Sequence, residues 1–413
     1  MSEPAAVPGI PKPLPLEEAQ RRLFALADPM PREHVDMTGA IGRYLAEPLA
    51  ARRTQPAADL SAMDGYAVTE GDLAGPWTIV GESAAGHPYT GAIRPGEAVR
   101  MSTGALLPAD AAGVILQEDL VREDSALRLR GTAPDPHDRH VRRCGLDFAT
   151  GKVVMPQGLL IGPAQIALAL SAGHTHLPVA RRPLVAVIDS GDELAIDPTA
   201  CPVHQIPASN GAMLEAMIAG LAIRSERIGP VPDRIDALID AFEQAAHADV
   251  IVTSGGASVG DHDLIRPALA KWGASLDFWR IAIKPGKPLL VATRQRSNRR
   301  QIILGLPGNP VSSLVTGYHF LLPLLRALLG AANPLPLDIA TTLEGTLPAT
   351  GPRREFVRGL WDGLNVRPMP VQDSGALVSL AASNVLIDRA AHAPAATTGE
   401  AVRVYLLHNG GIA

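Results

Sequence analysis

Three short stretches of this 413-residue chain hold the residue types that bind phosphates and hard cations, and each comes directly after an apolar run. The first is Asp189-Ser190-Gly191-Asp192-Glu193, after VAVI. The second is Thr253-Ser254-Gly255-Gly256-Ala257-Ser258-Val259-Gly260-Asp261-His262-Asp263, after DVIV. The third is Gly305-Leu306-Pro307-Gly308-Asn309-Pro310. Glycine lets backbone approach a ligand closely, and a helix start beyond it offers free N–H groups and a partial positive charge, so such loops can cradle a phosphate. Asn309 is expected to cap a helix whose first residue is Pro310. The carboxylates of Asp192, Glu193, Asp261 and Asp263 are hard oxygen donors that, with a substrate phosphate, suit Mg²⁺. Capping of the helix that follows is the competing role for Asp261 and Asp263. Cations cluster nearby: Arg280, Lys284 and Lys287 surround Ile283-Lys284-Pro285-Gly286-Lys287-Pro288, where proline and glycine fix the backbone between the lysines. A rigid lysine pair suits an anion. One glycine-rich turn is usually only a turn, but three in series carry weight.

Other chemistry fares less well. Gly256-Ala257-Ser258-Val259-Gly260 fits the G-x-S-x-G nucleophile elbow, making Ser258 a candidate hydrolase serine. The only later histidines are His262, His319, His392 and His408, which place a triad base poorly. His34-Val35-Asp36 has part of an iron triad's composition but no third ligand in view. His137, His140, His174 and His176 lack a partner set.

The elements that must position these loops follow from periodicity. Apolar runs near 184–190, 250–254 and 301–306 are continuous, as in strands buried on both faces, and helical patterns separate them. In DRIDALIDAFEQAA, Ile235, Leu238, Ile239 and Phe242 fall at i, i+3, i+4 and i+7. Residues 181–330 are therefore expected to form a mostly parallel α/β sheet with ligands at the carboxyl ends of its strands. Residues 50–147 read as an inserted β domain between two helical or extended pieces, 1–49 and 148–180, and 331–413 as a closing β module. Charged residues give a net −5, which argues against a nucleic-acid surface. The two cysteines, Cys144 and Cys201, form no CxxC pair, and the N-terminus lacks the order of a signal peptide. No uncharged apolar run reaches about 18 residues. The expectation is a cytoplasmic protein with no nucleic-acid or membrane partner.

Read in order, LPLEEAQRRLFALA, SAMDGYAV, MSTGALLPADAAGVI, VRRCGLDFATG, DSGDEL, SNGAML, TSGGASVGDHD, KPGKP, GLPGNPVSS, GPRREFVRG and DSGALVSLAASN span nearly the whole chain. This series resembles the molybdopterin molybdenumtransferase family, the molybdenum insertases that include bacterial MoeA and the E domain of gephyrin. The resemblance implies four domains in an elongated homodimer, the third related to molybdopterin adenylyltransferases and the last a small β-barrel. It also implies that adenylylated molybdopterin and molybdate react with Mg²⁺ to give molybdenum cofactor and AMP. Motif by motif, it points to Asp64, Thr103, Asp147, Glu193, Asp233, Asp263 and Lys284 as catalytic. Pro307 and Pro310 carry over as site residues, joined in substrate binding by Ser254, Gly255, Gly256, Ser258, Gly260, Arg280, Lys287, Gly308 and Asn309. Glu193, Asp261 and Asp263 are the implied metal ligands. Asp64 and Thr103 would reach the α/β domain of the other subunit, and from the residues alone Asp64 reads as a turn aspartate. Transient contact with the adenylyltransferase and with molybdoenzyme maturation factors is implied as well. Ala257, Cys144 and Arg280 depart from the family pattern, Arg280 replacing a point charge by a fork. Ser383–Asp388 lacks an expected proline nearby. The rival readings are a molybdopterin adenylyltransferase, which would need ATP, and a non-catalytic pterin-binding paralogue.

Overall fold

A computed structural model describes residues 12–255, 264–296 and 299–407. Its centre is a six-stranded sheet in the order Arg224–Val231, Leu184–Ser190, Val250–Ser254, Arg299–Leu306, Leu290–Arg296, Ser275–Trp279. The first four strands are parallel, and Leu290–Arg296 runs antiparallel to both its neighbours, so Ser275–Trp279 returns to the direction of the first four. Alternation along each strand explains the continuous apolar runs. Val185 and Val187 face a core shared with Leu214, Ile218, Val311 and Val315, whereas Ala186 and Ile188 face one shared with Leu238, Phe242, Ile265 and Leu269. Helices cover both faces, so the middle positions of the central strands are apolar and their polar residues fall at the carboxyl ends, and each buried aliphatic side chain contributes roughly 1.5–3 kcal/mol. Helix Ile235–Gln244 buries Leu238 and Phe242, with the Phe242 ring 5.4 Å from that of Trp272.

The helix from Pro310 to Leu328 consists of two α segments, Pro310–Thr316 and Leu322–Leu328, joined by a wider π-type turn at Gly317–Leu321. The widened turn frees a carbonyl. Gln20, buried on helix Leu16–Leu26, donates to the His319 oxygen there at 2.9 Å. In length and apolarity this helix could cross a membrane, but 89% of it is buried in the protein. Its apolarity is accounted for by packing against the sheet, helix Leu16–Leu26 and the C-terminal barrel.

Residues 65–129 form a second six-stranded sheet, ordered Ala111–Leu116, Gly65–Thr69, Glu97–Met101, Trp77–Ser83, Ala126–Leu129, Leu120–Glu123. The chain enters and leaves this module side by side, since Arg32–Asp36 pairs with His176–Ala180 and Leu49–Ala50 with Val153–Met155. The C-terminal strands Arg354–Trp361, Asn365–Pro368, Asp338–Leu343, Ala401–Leu406 and Val385–Arg389 close into a barrel. A two-residue strand from the α/β region, Ile283–Lys284, joins that barrel in parallel beside Arg354 and Glu355. Two residues are too short for any periodic signal, and this junction is where the two domains meet.

Candidate active site

Strand register brings the three loops to one edge. Asp189 lies opposite Ser254, Ser254 opposite Leu306, and Ser190 opposite Val231. Gly255 has φ +104°, and a Cβ there would lie 2.5 Å from the Ser190 carbonyl oxygen, so no other residue fits. A Cβ on Gly308 would touch the Gly255 Cα at 3.6 Å, which puts the second and third loops in contact. Asn210 ties the third loop down by donating to the Gly308 oxygen at 2.6 Å. Ser190 and Ser254 are each 2% exposed, and their hydroxyls, like that of Thr253, have no partner among the described residues. Buried polar groups are normally paired, so three such hydroxyls at one edge mark a place where a ligand can supply the partner. Gly256, Ser258, Gly260, Asp261 and Asp263 lie outside the described residues.

The carboxylates at this edge divide by task. Asp189 is structural: it accepts from the Gly211 N–H at 2.9 Å and from Arg227 Nε at 2.8 Å, and its burial pushes the carboxyl upward against the pull of Arg227. Asp192 accepts from the Asp233 N–H at 3.1 Å and so joins the 191–193 loop to the 231–233 loop. Glu193 is exposed and folds back over Gly191, where a Cβ would lie 2.4 Å from its Oε2. Neither Glu193 nor Asp233 makes an ion pair among the described residues. Three-ligand metal clusters are absent among those residues. Mg²⁺ keeps several waters and needs only one or two protein carboxylates, so a free, exposed Glu193 fits it.

Across from this edge, the start of the Pro310 helix and the Lys284–Pro288 loop face the barrel over a cleft of about 760 Å³. Lys284 does not stand free: its Nζ lies 3.2 Å from both oxygens of Glu355, which ties the loop to the barrel. The expected lysine pair is thus one tether and one available cation. Lys287 makes no ion pair among the described residues, and burial, helped by Arg280 and Arg353, holds its pKa below the ordinary lysine value. Arg280 takes a left-handed backbone (φ +72°), lies 5.4 Å from the Trp279 ring centroid, and has a buried Nε without a described partner. Asn309 holds the expected position ahead of a helix that starts at Pro310, but not the expected bond. Its side chain makes no cap bond and instead donates to Ser374 Oγ of the barrel segment at 3.0 Å, while its carbonyl accepts from Ser313 N at 2.8 Å.

Two arginines of this wall had no assigned role in the sequence. Arg353 lines the cleft, and Arg358, 1% exposed, donates to the carbonyls of Val371 at 3.0 Å and Asp373 at 2.9 Å rather than to a carboxylate. Both lie within GPRREFVRG, whose density of basic residues at the start of and within a strand was the available signal.

In the inserted module, Asp64 Oδ1 accepts from the Thr103 N–H at 2.7 Å and from its hydroxyl at 3.0 Å. These bonds hold the Asp64 carboxyl below the usual aspartate range. Asp147 is exposed and without an ion pair, in a loop that Arg143 braces by bridging Asp59 and Asp138. No hydrogen bond or ion pair among the described residues links this group to the sheet edge.

The sequence matches three family descriptions in series: "MoeA N-terminal region (domain I and II)" over 14–173, "Probable molybdopterin binding domain" over 186–327, and "MoeA C-terminal region (domain IV)" over 341–407. A molybdopterin molybdenumtransferase of a Nostoc species is 34% identical, the alignment covering 86% of this chain and 84% of that protein. One from Haemophilus influenzae is 33% identical, covering 84% and 86%. The chain belongs to the molybdopterin molybdenumtransferase family. A crystal structure of the molybdopterin biosynthesis MoeA protein from Pyrococcus horikoshii superposes with a TM-score of 0.82 at 25% identity, over 96% of this chain and all of the other.

Set out on this molybdenumtransferase fold, the residues singled out by motif fall into three groups. Glu193, Asp233, Ser254, Gly255, Pro307 and Gly308 share the sheet edge. Lys284 and Lys287 belong to the cleft wall, with Arg280 near enough to act on Lys287, and the edge meets that wall at Asn309 and Pro310. Asp64 and Thr103 bond each other, with Asp147 elsewhere on the same module. Of the histidines considered earlier, His174 is structural, bonding the Ala50 oxygen at 2.8 Å, whereas His34 lies exposed on strand Arg32–Asp36.

Proposed function

We propose that this protein inserts molybdenum from molybdate into adenylylated molybdopterin, releasing AMP. The observation that carries the reading is the meeting, at the Pro310 helix, of an edge where Glu193 and Asp233 make no ion pair among the described residues and a cleft lined by the cations Lys287 and Arg353. Molybdate is a compact dianion, and Lys287 with Arg353 offers it two cationic donors in a partly desolvated wall, where such contacts are stronger than in water. The orphan hydroxyls of Ser190 and Ser254 and the glycine backbone beside them suit the phosphates of the adenylylated pterin. Glu193, with Asp261 and Asp263, would hold Mg²⁺, which when bound offsets charge on the pyrophosphate being cleaved. No protein nucleophile is required, since positioning and charge compensation do the chemistry.

Among the described residues no hydrogen bond or ion pair links the Asp64–Thr103 pair to this edge, and in this reading, which follows the family resemblance, a second copy supplies the pair, making a homodimer part of the working site. Both cysteines are free, the state expected in a reducing cytoplasm. An adenylyltransferase would supply the substrate, and an apo-molybdoenzyme, through its maturation factors, would receive the product. Purified protein given adenylylated molybdopterin, molybdate and Mg²⁺ should release AMP and yield cofactor that activates an apo-molybdoenzyme. Absence of AMP release with molybdate and with tungstate would sink the reading, and ATP-dependent adenylation of molybdopterin would replace it with the earlier step.

A further inference from the structure

The opposite edge of the central sheet carries a second charged cavity. The amino ends of the parallel strands, at Leu184, Arg224 and Arg299, open on a space of about 630 Å³ lined by Arg181, Arg224, Arg296, Arg299 and Arg300. Strands of seven or eight residues separate it from the candidate active site by roughly 20 Å. Two carboxylates line it, Glu226 and Asp249. Five guanidiniums against two carboxylates leave a formal +3, in a chain whose net charge is −5.

Asp249 and one oxygen of Glu226 are already engaged, and several of the arginines are fixed without being neutralised. Asp249 accepts from Arg181 and from the Leu184 N–H, both at 2.8 Å, and Glu226 Oε2 meets His247 at 3.1 Å. Arg296 donates to the carbonyls of His247 and Ala248 at 3.0 and 2.9 Å, and Arg299 to those of Pro29 and Asp28 at 3.2 and 3.1 Å. Carbonyls orient a guanidinium but leave its charge, and a planar fork held this way matches a phosphate. Arg224 has no side-chain partner among the described residues, and Arg300 only a 3.5 Å approach to the Leu26 oxygen. The same wall holds unmet acceptors. Gln301, 1% exposed, uses its amide N–H groups on the carbonyls of Ala245, Ala246 and Ala248, which fixes its Oε1 as an acceptor. That oxygen and Glu226 Oε1 are buried without partners. A ligand meeting both demands carries a phosphate at one end and an N–H donor at the other, in a size the cavity admits.

We propose that this cavity is a second binding site, for a purine nucleoside monophosphate. The arginines take the phosphate and the acceptors of Gln301 and Glu226 take the exocyclic amine. The assignment does not depend on the molybdenum chemistry at the other edge.

Calorimetric titration of the full chain with AMP, and separately with inorganic phosphate, tests it. Two variants are compared with the parent: Arg224→Glu/Arg300→Glu at this cavity and Lys287→Glu at the cleft. The double reversal should weaken one class of AMP sites at least about tenfold, the scale of a lost charge-assisted contact, while Lys287→Glu leaves that class intact. Inorganic phosphate should bind it at least about tenfold more weakly than AMP, for want of the amine contact. Arg224→Gln/Arg300→Gln, a milder change, should shift AMP affinity in the same direction with unaltered melting temperature. Unchanged AMP binding in both double variants, loss of all AMP binding in Lys287→Glu alone, or phosphate binding equal to AMP would each overturn the assignment.

Discussion

The sheet edge and the cleft wall meet at one helix start yet treat their polar groups in opposite ways. At the edge, the hydroxyls of Ser190, Thr253 and Ser254 are buried with no partner among the described residues, and the exposed Glu193 and half-buried Asp233 make no ion pair among them. Along the wall, Lys284 is locked to Glu355, Arg358 to loop carbonyls and Asn309 to Ser374. An edge left unsatisfied is prepared for groups that arrive with the substrate, since leaving such groups unmet costs stability. A wall satisfied by its own contacts is built to keep its shape, which leaves Lys287, with Arg353 beside it, to meet an anion.

The sharpest way to break this contrast is to remove the edge's charge at constant volume. Glu193→Gln should lower AMP release by roughly 10²–10³-fold, the scale seen when one electrostatic contact to a transition state is lost. Its melting temperature should hold, because exposed substitutions away from packing change stability little. Turnover within a few-fold of the parent would mean that Glu193 is not held in reserve for a cation.

Lys287→Ala should act differently, raising KM for molybdate about tenfold, as expected for about 1.4 kcal/mol of lost binding, with a smaller change in kcat. A fall in kcat alone would place Lys287 at the reacting atoms and erase the division between a chemical edge and a binding wall.

The edge was far more legible in sequence than the wall. Its loops follow continuous apolar strands whose parallel order comes from the alternation of strand and helix, so Glu193, Ser254 and Gly308 could be placed together from local pattern. The wall depends on partners far apart in the chain. Lys284 meets Glu355 through a two-residue strand, and Arg358 is buried by a loop that returns after it. Periodicity carries no information about such meetings, so Lys284 read as a free cation and Asn309 as a cap. For Asp261 and Asp263 the sequence remains the only guide, because they lie outside the described residues.

A smaller effect tests the charge state of the wall. Burial and two neighbouring arginines depress the Lys287 pKa from its ordinary 10.5, so in the free protein its ammonium is lost at a lower pH than an ordinary lysine loses its own. Molybdate affinity should therefore begin to fall in the alkaline range before an unperturbed lysine would titrate. Lys287→Arg, charged throughout, should flatten that fall, and dissociation constants taken from pH 7 to 10 measure it. An identical fall in both proteins would assign the titration to another group.

The smallest effect decides between two readings of one residue. Asn309→Ala should cost about 1 kcal/mol whether its side chain caps the helix or bonds Ser374, because the two contacts have similar worth. A double-mutant cycle separates them. If the bond to Ser374 is the contact that counts, Ser374→Ala removes the same interaction, and the pair should fall short of additivity by about 0.5–1 kcal/mol in urea unfolding. If Asn309 caps the helix, the two losses add. Coupling would make the barrel segment a support for the loop that ends the sheet edge, so that edge and wall, opposite in how they satisfy their polar groups, are braced where Asn309 meets Ser374.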